Sequence, residues 1–200
     1  MIQTNSELKT KLFSQIKVLG KEKSLLPFST PYIDETIQKL ENINPKKRSL
    51  SLEHFVTLAG EWQLVYASNG TVITRPIAEI TNILGSAIQV KKIWQSINSL
   101  GGEIFASNQA LIEFPFFGEF QLGAEGVWQP QPDEQTATVT FDFFYFQATK
   151  FLSQPDWTLP ELQIPVLDIL KNEAVWITSY LDEDTRIGRG ATGNLFVFHK

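Results

Sequence analysis

The chain has 200 residues, 42% of them hydrophobic, and a formal net charge of −5; that is enough mass for one domain with a full core, and the wrong sign of charge for a nucleic-acid partner. It contains no Cys and only two histidines, His54 and His199, which excludes disulfides, thiolate or His-rich metal sites and Cys nucleophiles, and leaves few general bases titrating near neutrality. Fifteen Phe, five Trp and four Tyr are the compositional peculiarity: such side chains fill cores, and they also line cavities for apolar ligands.

The opening MIQTNSELKTKLF lacks the apolar core of a signal peptide, and no stretch approaches the roughly 18 apolar residues of a membrane span. A cytoplasmic protein that at most lies on a membrane is therefore expected. Leu8, Leu12, Phe13, Ile16 and Leu19 fall at helical spacing between Ser6, a candidate N-cap, and Gly20, a candidate stop. A second helix starts near Pro31 with Ile33, Ile37, Leu40 and Ile43 on one face, and Asn44-Pro45 ends it. Residues 1–49 thus read as a helical segment packing on a main body formed by residues 50–200.

From Gly60 the hydrophobic period changes to two. Trp62, Leu64 and Tyr66 alternate with Glu61, Gln63 and Val65, as in a strand with one buried face. Further strands are expected at about 90–98, ending in a turn at Ser99-Leu100-Gly101-Gly102, then at 104–116, 120–128 and 136–147. Pro155, Pro160 and Pro165 mark a long connection without a regular element, and strands at 173–181 and 194–198 close the chain. Many antiparallel strands joined by short turns predict a sheet that removes its edges by closing on itself. The inward candidates on strict alternation are Trp62, Leu64, Tyr66, Trp128, Phe141, Phe143, Tyr145, Trp176 and Tyr180.

The segment GRGATG, Gly188 to Gly193, has the spacing of a dinucleotide-binding loop, but only seven residues follow it. They cannot supply the helix, second strand and ribose-binding acid that the chemistry needs, so these read as turn glycines leading into the last strand. Asp182, Glu183 and Asp184 precede them. Two carboxylates on one strand face could flank a glycosidic bond, but acids beside Arg186 and Arg189 at a strand end are more simply solvated or ion-paired, and no catalytic residue is assigned.

Tyr180-Leu181-Asp182-Glu183-Asp184-Thr185-Arg186-Ile187-Gly188-Arg189-Gly190, followed by Gly193-Asn194-Leu195-Phe196-Val197, closely resembles the C-terminal signature of the plastid lipid-associated protein (fibrillin) family. Leu58 to Tyr66 is similar to that family's opening strand, and Phe120 to Trp128 to a middle segment. The resemblance implies a mainly β fold, a lipocalin-like antiparallel β-barrel with N-terminal α-helices. It also implies binding or transport of prenylquinones, carotenoids or lipids at thylakoids or lipid globules in photosynthetic membrane maintenance or photoprotection, with no enzymatic activity, cofactor or metal. Plant members carry a transit peptide and this chain shows none, which points to a cyanobacterial type. Gly60-Glu61-Trp62 resembles the Gly-x-Trp element of lipocalins, so the resemblance implies that Trp62 closes one end beneath a cation from Arg186 or Arg189. Three roles follow as expectations: a carrier of an apolar ligand, a peripheral coat on thylakoid or lipid-globule surfaces, and, disfavoured by the scarce His and missing Cys, an enzyme acting on a pigment.

Overall fold

The computed structural model describes residues 4–26, 30–71, 74, 88–100, 103–151, 160–165 and 174–200. The expected turn glycines Gly101 and Gly102, and Pro155, lie outside these residues. Helix α1 (Asn5–Leu19) is capped by Thr4 rather than Ser6, because Thr4 and Glu7 form a reciprocal capping box. A short helix α2 (Lys21–Leu25) follows Gly20. Helix α3 (Pro31–Asn42) starts on Pro31 and buries Ile33, Ile37 and Leu40, while Ile43 falls just past its end and is exposed. A 3-10 turn (Leu52–His54) and a single α-helical turn, α4 (Phe55–Leu58), lead into the sheet, so helical structure extends beyond Pro45.

Nine strands follow: β1 (Gly60–Ala67), β2 (Gln89–Leu100), β3 (Glu103–Phe114), β4 (Gly118–Pro130), β5 (Thr136–Phe151), β6 (Leu162–Pro165), β7 (Ala174–Leu181), β8 (Thr185–Gly190) and β9 (Leu195–His199). All pair antiparallel, in the order β4-β3-β2-β1-β9-β8-β7-β5-β6, and β4 also pairs with β5. That last pairing closes the sheet into a ring. β6 pairs only with the middle of β5, at Phe143–Phe146, and takes no part in the closure.

Two expectations change here. Strand β6 places a regular element inside the proline-marked connection. Gly188 and Gly190, expected in a turn, lie within strand β8, which supplies the neighbour through which β7 reaches β9.

Two apolar cores result. One lies inside the ring around Trp62, Leu64, Ile93, Ile97, Ala106, Ala110, Trp128 and Phe198, with Leu50 and Leu58 packed on it from the segment before β1. The other lies outside the wall, where Leu8, Leu12 and Ile16 of α1 and Ile33, Ile37 and Leu40 of α3 cover Tyr66, Tyr180, Ile187 and Val197. The amphipathic N-terminal helices therefore shield one outer face of the sheet, burying side chains that a strand in water would leave polar.

Candidate functional site

One end of the interior is plugged by aromatic rings around a cation. Gly60 takes a φ of +112° on entry to β1, a backbone conformation that glycine adopts without strain. Two residues on, Trp62 turns inward, and its indole N–H donates to the Leu58 carbonyl at 2.7 Å. The Arg186 guanidinium carbon lies 5.2 Å from the Trp62 ring, 5.9 Å from Trp128 and 4.3 Å from Phe198. The structure thus brings Trp62 and Arg186 together from β1 and β8. Arg189 goes elsewhere, to Glu41 of α3 through bonds of 2.7 and 2.6 Å; the second cation at Trp62 is Lys200, 4.5 Å from the ring centre. Burial lowers the proton affinity of Arg186 to about 9, so it remains charged at neutral pH.

From this plug a row of inward residues runs across the wall in register, from Trp62 to Gln95, Asn108, Ala124 and Phe144. Arg186 Nη2 donates to the Gln95 carboxamide oxygen, and Gln95 Nε2 donates to Asn108 Oδ1 at 2.6 Å. Asn108 and Ala124 keep part of their surface accessible although they face the inside of the ring. So do Leu122 and Phe141. Phe144 is 47% exposed and stacks near Phe141, and Phe146 is 39% exposed and stacks on Phe120 at 5.2 Å. The inner face is thus sealed at the Trp62 end and carries accessible aromatic surface along β4 and β5.

Five of the nine expected inward residues occupy this interior: Trp62, Leu64, Trp128, Phe141 and Trp176. Tyr66, Tyr180, Phe143 and Tyr145 do not. The register shifts between Leu64 and Tyr66, between Thr178 and Tyr180, and, opposite Glu125 and Gly126, between Phe141 and Phe143. Each such bulge reverses the alternation beyond it, so the next residue of the expected face emerges outside.

Tyr66 and Tyr180 therefore meet the helices. Burial pushes the Tyr66 phenol up to about 12; it donates to Asp34 at 3.1 Å and hydrogen-bonds Thr30. The Tyr180 hydroxyl reaches Asn5 at 2.7 Å, and burial likewise raises its pKa. Tyr145 lies on the outer wall across Gly123, where an added Cβ would come within 1.9 Å of its ring. Phe143 is 44% exposed on that same side.

The acids of the C-terminal motif form the β7–β8 turn instead of a strand face. Asp182 Oδ1 accepts from the backbone N–H groups of Asp184 and Thr185, and Lys9 of α1 bridges Asp182 at 2.9 Å and Asp184 at 2.5 Å. This cluster docks α1 and pairs with neither arginine. Beside it a groove of about 470 Å³ between α1 and the wall is lined by Lys9, Phe13, Lys17, Asp184 and His199. Its one acid, Asp184, is already paired with Lys9, and the groove lies outside the ring. Among the described residues no group of His, Asp and Glu is placed to hold a metal ion, and no helix is long and apolar enough to cross a membrane.

A closed antiparallel ring of this size either fills its interior with side chains or leaves room for one small molecule. The family model PAP_fibrillin matches residues 6–199, so the chain belongs to the PAP/fibrillin family, which is associated with plastid lipid-associated proteins. No curated protein matches the chain, and no solved structure does.

Proposed function

We propose that this chain binds and carries a small hydrophobic molecule inside its ring, without catalysing a reaction. One observation carries the reading. Aromatic and small residues that face inward from a wall closed by the β4–β5 pairing retain accessible surface, notably Phe141, Phe144, Phe146 and Ala124. Apolar surface left in contact with water within a closed wall gains about 25 cal/mol per Å² when a ligand covers it, before the costs of association. Membership of a lipid-associated family supports prenylquinones, carotenoids or lipids as the class, and thylakoid membranes or lipid globules as the place of loading.

Extraction of the natively purified protein into organic solvent, followed by mass spectrometry, tests this: an isoprenoid or acyl lipid in about stoichiometric amount is expected, and protein that repeatedly yields none refutes it. A coating role on a lipid surface has its own observation. Phe116 and Phe117, 88% and 62% exposed, stand at the tip of the β3–β4 hairpin, where aromatic side chains would enter an interface. Flotation with liposomes that is lost in Phe116→Ser/Phe117→Ser would favour that role.

A further inference from the structure

Arg186 is a cation with too few partners. Its side chain is fully buried, one nitrogen donates to Gln95, and among the described residues Nε and Nη1 have no hydrogen-bond partner. Among the described residues no carboxylate pairs with it, and its one hydrogen-bond partner is the neutral amide of Gln95. The three surrounding rings attract the positive charge through their faces, but they do not accept N–H bonds as an oxygen does. A guanidinium removed from water is costly unless it is both paired and hydrogen-bonded. Stacking on Trp62 alone does not account for it, because Lys200 already lies over that ring.

The polar line beyond Arg186 has a consistent direction. Arg186 donates to Gln95, Gln95 donates to Asn108, and Asn108 keeps part of its surface open on the inner face beside Ala124 and Phe144. The interior therefore holds, at its plugged end, a cation with no carboxylate partner among the described residues, an amide next to it, and accessible aromatic surface further along.

We infer that the ligand is an amphiphile with a carboxylate head, a long-chain carboxylic acid, whose anion takes the free N–H groups of Arg186 while its tail runs past Ala124 and Leu122 towards Phe141 and Phe144. The inference rests on the reading of the ring as a carrier and narrows it, because a neutral carotene or quinone would leave the cation unpaired. Charge-assisted hydrogen bonds in a site shielded from water are the strong ones, so the head group sets orientation and the tail supplies burial.

The test is a fluorescence titration of the delipidated full-length protein with a conjugated polyene fatty acid and, separately, with its methyl ester, which has the same tail without the charge. The wild type is expected to bind the acid roughly 10- to 100-fold more tightly than the ester. In Arg186→Met the ratio falls to about one, and Arg186→Lys retains a preference for the acid. If acid and ester saturate the wild type equally, the head-group assignment is wrong while the carrier reading stands. If neither saturates, the carrier reading itself fails. An acid preference that survives in Arg186→Met also overturns the assignment. Should Arg186→Met not fold, Asn108→Asp places a negative charge beside the head group instead; it is expected to weaken the acid by about tenfold or more and to spare the ester, and an unaffected acid contradicts the proposal.

Discussion

Trp62 and Arg186 lie 124 positions apart, and their contact exists because β1 and β8 flank β9 in a closed wall. Truncating Trp62 to Ala should cost about 3–5 kcal/mol, since a fully buried indole is lost. Arg186→Met should cost less than about 1 kcal/mol, because losing the stack is offset by no longer burying a charge. The two changes should be non-additive by more than about 0.5 kcal/mol in urea unfolding of the four proteins; additive losses would mean that the rings do not hold the guanidinium. The meeting of these two residues was legible through the Gly-x-Trp resemblance. Gln95 and Asn108 were not, because a polar residue in an alternating strand reads as solvent-facing, and only the register with Trp62 places these two inside.

At the scale of elements, alternation located the strands well and their faces less well. Trp62 and Leu64 are inside as expected, but one bulge later Tyr66 packs on the helices, and no residue type in Leu64-Val65-Tyr66 announces the shift. The glycines of GRGATG show a similar limit. Gly193 is a turn residue with φ of +79°, whereas Gly188 sits within β8 where an added Cβ would come within 2.0 Å of the Trp176 indole; one composition serves two physical needs.

The docking of α1 on the β7–β8 turn carries a pH prediction. Burial alone would raise the Asp184 carboxyl, but hydrogen bonds from Lys9 and Thr185 outweigh it and hold the group at about 2, against an ordinary value of 3.8. A depressed acid stabilises the fold fully above its unfolded value and loses that contribution as pH falls through its folded value. Lys9→Met should therefore be less stable than the wild type above about pH 4. The gap is on the order of 0.2–1 kcal/mol because Asp184 is half exposed, and it should close as pH falls towards 2. Thermal melts across that range check this, and a gap that stays constant down to pH 2 would refute the role of Asp184.

The whole molecule consists of one sheet with two burial problems, solved separately. The helices cover the outer face around Tyr66 and Tyr180, and the inner face closes on itself around Trp62 and Trp128. Closure and the N-terminal helices were legible from the change of period near Gly60 and the succession of short turns. The distribution of inner space was not, because it depends on how the wall tilts and on which bulges occur. The proposed ligand lies against the inner wall, and calorimetric titration with a soluble prenyl or acyl probe tests this directly in two variants. Ala124→Trp fills the inner face between Asn108 and Phe144, whereas Phe143→Ser changes an exposed aromatic on the outer face. Affinity should fall by about tenfold or more in Ala124→Trp, where added bulk competes with the ligand for space, and should stay within about twofold of the wild type in Phe143→Ser. Binding that survives Ala124→Trp and is lost in Phe143→Ser would put the ligand on the outside and contradict the enclosed site.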